Sequence, residues 1–299
     1  MLRTIVLLVL ASLASGQVTI ENYEGPTTLR YPLALIRGTA TNGDAVTIRN
    51  ESNACADGTV TTPIRMGHYV GFVALKPGTN HITLVAGGHT ARLDLTYEPL
   101  MRSKIVNVIY VTAADGETRY PTPDKDDPQN YADRLDLAAR LLQTFTAERL
   151  NDLGLGRRTF RLDLDEHGHV RVHTIRWNRT RQDLKAMAAP DLWAQLKVIV
   201  EEKFDPATHK NIVVIGFTSY DTGAMEVEGH AALGGGSLAL FSNIGLFSWP
   251  ATIQDIHLAF TDDRPVSNTV VPDDSAGRRR RWAQCATTMG AVLHELGHT

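Results

Sequence analysis

Two cysteines in 299 residues are too few to build a disulfide scaffold, and Cys55 and Cys285 stand far apart in the chain. They read either as one disulfide, if the protein is exported to an oxidising compartment, or as two free buried thiols. An excess of charge of either sign is also missing. The 30 basic and 33 acidic residues leave a formal net charge of −3. A balance this even gives no electrostatic case for nucleic acid or a membrane surface as partner. No apolar run approaches the roughly 20 residues that a membrane-spanning helix needs. The run from Ile5 to Leu13 is about half that length, so integral membrane contact is not expected. A serine-hydrolase elbow, G-x-S-x-G, fails around Ser237, because Ala239 stands where the second glycine would be. The carboxylates of "TPDKDDP" lack the spacing of a calcium loop.

What is present begins with "MLRTIVLLVLASLASGQ". A basic flank at Arg3, a short apolar run and the small residues Ala14, Ser15 and Gly16 form the layout of a secretory signal cut after Gly16. The expectation is a secreted, extracellular protein with residues 1–16 removed. In that setting Asn50-Glu51-Ser52 and Asn178-Arg179-Thr180 are candidate N-glycosylation sites at Asn50 and Asn178.

The remainder has two rhythms. From residue 17 to about 100, short alternating runs such as "VTIENY", "AVTIRN", "YVGFVAL" and "ARLDLTY" are punctuated by "TNGD", "ACADG" and "KPGTN". That spacing predicts an N-terminal antiparallel β-sandwich. In it Pro77 and Gly78 would turn the chain, and Phe72, Ala74, Ile82 and Leu84 would share one core. Nothing in this half groups carboxylates, histidines or nucleophiles, so it reads as a packing or glycan-binding module. From residue 101 to 299, "KIVNVIYVTA" and "NIVVIGF" are continuous apolar strands of the kind buried on both faces. They alternate with a helical pattern from Tyr131 through Phe145, a hairpin-like "RTFRLDLDEHGHVRVHTIRW", and a helix opening near Pro190. The fold class expected is therefore α+β overall, the sandwich being followed by an α/β domain with a mixed sheet. A last helix is expected from about Thr287. The basic run Arg278 to Arg281 just before it reads as a solvated loop or as a proprotein-processing site cut after Arg281.

That last helix carries "AVLHELGHT". On a helix, His294 and His298 project from one face a turn apart, as two imidazole ligands to a single zinc ion must. Glu295, beside the first histidine, can reach a water activated by the ion and act as the catalytic base. Catalytic zinc sites take three protein ligands, and only Thr299 follows His298. The third ligand is thus expected beyond Thr299, in a domain incomplete at its C-terminal end. In the spaced form H-E-x-x-H-x-x-G-x-x-H it would lie just past this residue. His230 and His257 are the alternatives within the chain, and His167, His169 and His173 share one hairpin that could hold a second metal.

The stretch "EGHAALGGGSLALFSNIGLFSWP" followed by "CATTMGAVLHELGHT" resembles the zinc metallopeptidases of fungi and invertebrates, in the HExxH zincin clan. The likeness runs from about residue 30 onward. It implies a β-sandwich followed by a zincin-like domain, His294 and His298 as zinc ligands, Glu295 as catalytic residue, and a peptide or protein substrate. Zincins place an edge strand above the cleft, where a substrate can add as a further strand. "GGGSLALFSN" is the candidate, with Gly236, Ser237, Leu238 and Ala239 as the substrate-facing residues and Gly234 to Gly236 admitting another backbone. The alternative is that these glycines merely turn the chain before a core strand. The functional expectation is a secreted zinc peptidase or an N-terminal fragment of one. The alternative is a non-catalytic secreted binding protein, with a glycan or protein ligand and a degenerate zincin-like half.

Overall fold

The computed structural model describes residues 17–299, so the leader expected over residues 1–16 lies outside the described residues. The chain opens with strands β1 (Thr27–Leu29), β2 (Leu33–Thr39), β3 (Ala45–Asn50), β4 (Thr59–Pro63), β5 (His68–Ala74), β6 (Gly78–Ala86) and β7 (His89–Tyr97). Five of them form a sheet in the order β1-β7-β6-β3-β4, while β2 and β5 form a separate antiparallel ladder. The pairing is antiparallel throughout except where β1 runs parallel to β7. Strict alternation drives this half: Val46 and Ile48 on β3, Ile82 and Leu84 on β6, and Leu93 and Leu95 on β7 all point inward and are buried.

The expected pairing across Pro77 and Gly78 is different. β5 and β6 belong to different sheets, so this turn is a corner rather than a hairpin. On β5 it is Tyr69, Gly71 and Val73 that face inward, while Phe72 and Ala74 face the other way and stay partly exposed. The Tyr69 hydroxyl donates to the Thr19 carbonyl oxygen at 2.7 Å, which helps hold the strand in that register.

The second rhythm builds one sheet in the order β13-β14-β10-β8-β9, from β8 (Ile105–Thr112), β9 (Val172–Arg176), β10 (His209–Ile215), β13 (Leu233–Gly235) and β14 (Leu238–Ser242). A small hairpin, β11 (Ser219–Asp221) and β12 (Glu226–Glu228), stands apart. β9, β8, β10 and β14 are parallel and only β13 is antiparallel. Both faces are buried, which explains the continuous apolar runs. On β8, Val106, Val108 and Tyr110 face one core while Ile109 and Val111 face the other. Helices α1 (Tyr131–Asp152) and α5 (Arg281–Gly297) cover the first face. Helices α2 (Arg181–Lys185) and α3 (Ala189–Glu201) cover the second through Leu184, Leu192, Leu196 and Val200. A one-turn α4 (Ile256–Ala259) precedes α5. The chain is a mixed α+β protein with several sheets and few helices.

Two expectations change. "RTFRLDLDEHGHVRVHTIRW" makes only one antiparallel bridge, Leu164 with Val170, before β9 joins the central sheet parallel to β8. Parallel addition lets Ile175 enter the second core, which a free hairpin could not offer. Of its three histidines, His169 and His173 are each matched to a carboxylate, Asp136 and Asp163, and no cluster of three metal-binding side chains forms there. The last helix begins six residues early, at Arg281, the one buried member of the basic run; Arg278, Arg279 and Arg280 are exposed and precede the helix, as a solvated loop would be. Arg281 is 8% exposed and its guanidinium grips both Asp124 oxygens at 2.5 and 2.8 Å, so a cut after Arg281 would have to break a part-buried ion pair. Arg280 pairs with Asp263, and Arg278 lies over the Trp282 ring. "TPDKDDP" and "GRRRRW" are two halves of one contact.

A second polar knot joins the two rhythms. Buried Asp136 on α1 accepts from Arg140 at 2.9 and 2.7 Å and from the Val170 backbone N–H at 2.7 Å, and it meets His169 Nδ1 at 2.8 Å. Arg140 also reaches Asp57 from the N-terminal half, at 3.5 Å. Burial alone would raise the Asp136 carboxyl, but His169, Arg140 and the Val170 N–H outweigh it and hold it below the ordinary 3.8. The hydrogen bond to Asp136 raises His169 above 6.5. The raised imidazole contributes stability that is complete below its unfolded value and lost as pH rises through its folded value. The depressed carboxyl contributes stability present above 3.8 and lost as pH falls through its folded value. Urea midpoints should therefore decline as pH rises above about 6.5 in the natural protein, and His169→Gln should flatten that limb. A profile that the substitution leaves unchanged would show the pair to be idle.

Candidate metal centre and its edge strand

The geometry of the terminal motif is set by α5. Cys285, Met289, Val292 and Leu296 recur at spacings of three and four and are buried against the sheet, which turns the next face outward. His294 and His298 lie on that outward face, both exposed. The last turn tightens, with the His298 N–H donating to the Glu295 carbonyl at 3.2 Å. The two rings meet edge to face, and their Nε2 atoms are 3.0 Å apart. Glu295 is half-buried, and among the described residues its carboxylate has no ion-pair partner.

Two close approaches fix the helix. A Cβ on Gly234 of β13 would lie closer than 3.0 Å to the Glu295 carbonyl oxygen. One on Gly245, in the turn after β14, would be equally close to Thr288. Thr288 is held further by the Trp249 indole N–H, which donates to its hydroxyl at 2.7 Å. Gly234 does admit another backbone, and that backbone is the one of α5 at Glu295. The Gly245 to Thr288 contact had no signal beyond two small residues in an apolar stretch.

The two imidazoles suit a zinc ion. A tetrahedral ion about 2.0–2.1 Å from each nitrogen would hold them roughly 3.3 Å apart, a few tenths of an ångström beyond their present separation. Among the described residues no group of three metal-binding side chains is gathered, so a third donor is not found among them. His230 is engaged elsewhere, its Nδ1 2.6 Å from the Ser242 hydroxyl, with burial pushing its pKa down. His257 sits on α4, in the wall of a different groove.

Other expected site residues are dispersed. Leu238 and Ala239 lie on β14, which is flanked by β10 and β13 and is not an edge. Gly236, at φ +61, and Ser237 make the turn between β13 and β14. The edge is β13, one strand out, because the chain reverses at these residues and covers β14. Cys55 and Cys285 are both free: Cys55 is exposed, while Cys285 is packed against Met289 inside α5's buried face, so they form no disulfide. Asn50 is 1% exposed, and its amide donates to Asn80 and to the Ala74 carbonyl, leaving no free nitrogen for a glycan. Asn178 is exposed.

Residues 17–299 match the family described as "Putative peptidase family". The chain belongs to this peptidase family. A protein of Saccharomyces cerevisiae named putative zinc metalloproteinase is 27% identical over 276 residues, covering 80% of this chain and 40% of that protein. A Schizosaccharomyces pombe protein of the same description is 26% identical over 254 residues, covering 78% and 41%. The chain thus spans about two-fifths of the length of these curated relatives. Among solved structures, OgpA of Akkermansia muciniphila, crystallised with an O-glycopeptide substrate, shares 18% identity at a TM-score of 0.43. That match covers 67% of this chain and 48% of OgpA, and at this distance it bears on nothing further. The names of both relatives include zinc. No helix among the described residues is long and apolar enough to cross a membrane.

Gly234→Ala should cost about 1–3 kcal/mol, because helix or strand must give way for the added methyl. Urea denaturation at constant m-value measures it, and an unchanged midpoint would show that α5 is free to move off β13.

Proposed function

We propose that this chain is the N-terminal part of a secreted zinc-dependent peptidase, with His294 and His298 as two ligands and the third supplied from beyond Thr299. The convergence of the two Nε2 atoms to 3.0 Å on one exposed helix face carries this reading. The leader pattern of residues 1–16 supports export. In this reading residues 17–100 are a β-sandwich module and residues 101–299 the zincin-like part.

Zinc, when bound, supplies Lewis acidity toward the scissile carbonyl and toward water. The chain's own residues supply the rest. Glu295 takes the proton of the attacking water and then delivers one to the departing amine, a proton shuttle over a few ångströms. Its carbonyl, pressed on Gly234, fixes the carboxylate's root relative to β13. β13 offers the unpaired side of its backbone, beyond β14, to a substrate added as a further strand. The substrate-binding role in this proposal thus moves from Gly236, Ser237, Leu238 and Ala239 to Leu233, Gly234 and Gly235.

The test uses the full-length protein. It should retain about one zinc per chain, and Glu295→Ala should keep the metal while peptide hydrolysis falls by about 10²–10⁴-fold. His294→Ala should lose both. Hydrolysis that survives Glu295→Ala ends the catalytic assignment. A protein that takes up no zinc and cleaves nothing is instead the binding protein of the second reading, its ligand a glycan or another protein.

A further inference from the structure

A groove of about 530 Å³ lies on the face of α5 next to the histidines. Its floor is the outer side of the β2–β5 ladder, where alternation in a half-exposed strand calls for polar residues. Leu35, Val70 and Phe72 stand there instead. The walls add Phe145 of α1, Phe260 beside α4, and Leu293 of α5. Val70 is 51% exposed, Phe145 54% and Phe260 39%, although they adjoin one another around one concavity. Large apolar side chains gathered in this way mark a surface that is covered in use. One end closes in polar residues, where Arg37 and Arg149 both pair with Asp152 at 3.0 and 3.1 Å.

We infer that this groove seats an apolar segment of the polypeptide that lies beyond Thr299 in the full-length protein. The region matched here makes up only 40% of the S. cerevisiae relative and 41% of the S. pombe one, so most of each relative's chain lies outside it. Leu293 lines the groove and His294 follows it directly. Chain that continues past Thr299 to deliver a third donor starts about 9 Å of helix rise from the groove's lip. The inference rests to that extent on the reading of α5 as a metal helix. The segment would brace the outer flank of α5, as Gly234 and Gly245 brace the inner one.

The experiment measures thiol reactivity in the full-length chain, in a Cys55→Ser background. Cys285 stays silent, because burial pushes its thiol up to about 12. Phe145→Cys reports on the groove. Val198→Cys, on α3 and 57% exposed, is the matched control. Phe145→Cys should react with a maleimide at least about tenfold more slowly than Val198→Cys, with both equal in urea and the difference unaffected by dilution. Equal rates in native buffer mean that the groove faces water and overturn the inference. Protection that vanishes on dilution assigns the cover to a second copy and overturns it as well. A full-length protein that binds no zinc yet protects Phe145→Cys would end the peptidase reading and leave this one standing.

Discussion

Helix α5 meets a glycine at two places where nothing larger than hydrogen fits, once through its backbone and once through the Thr288 side chain. Gly234 lies under the Glu295 carbonyl and Gly245 against Thr288. These contacts set the rotation of the helix about its axis. A slip by one residue would turn it by about 100° and carry both imidazoles away from the face they share. The short β13 therefore has two tasks: it caps the sheet, and it indexes the helix. Met289, Val292 and Leu296 add the apolar burial, but such side chains tolerate sliding better than a glycine contact does.

The same contact relates the proposed chemistry to the proposed substrate. Glu295 and the sheet edge share an interface, so distance from the carboxylate to a peptide laid on β13 is decided by packing rather than by a flexible loop. Preorganisation of that kind makes proton transfer efficient, since the base need not be gathered at the moment of reaction. The antiparallel direction of β13, in a sheet otherwise parallel, follows from the sharp reversal at Gly236 and Ser237.

Much of this was legible in the sequence because periodicity reports burial. Continuous apolar runs gave β8 and β10 as strands covered on both faces, and spacing gave α1, α3 and the shared face of His294 and His298. What was illegible depends on partners distant in sequence. Arg281 looked like solvent-facing charge until Asp124 arrived from 157 residues away. Asn50 fits a sequon, yet a local pattern cannot show that its amide is spent on Asn80 and Ala74. β14 reads as an edge candidate because the three residues that cover it, two of them glycines, carry almost no strand signal. Phe72 and Ala74 were given the inward face by alternation alone, which fixes that two faces exist but not which of them meets the core.

One apolar cluster runs from Val18 ahead of β1 and Val46 in the first sheet, through Leu141 of α1, to Leu296 near the second histidine. Any ligand that grips His294 and His298 therefore holds a helix whose roots reach the N-terminal strands. By linkage, free energy gained at the histidines is felt as resistance to opening at β3 and β6, far from the point of binding. The strands that carry no chemistry of their own would in this way sense whether the far end of the protein is occupied.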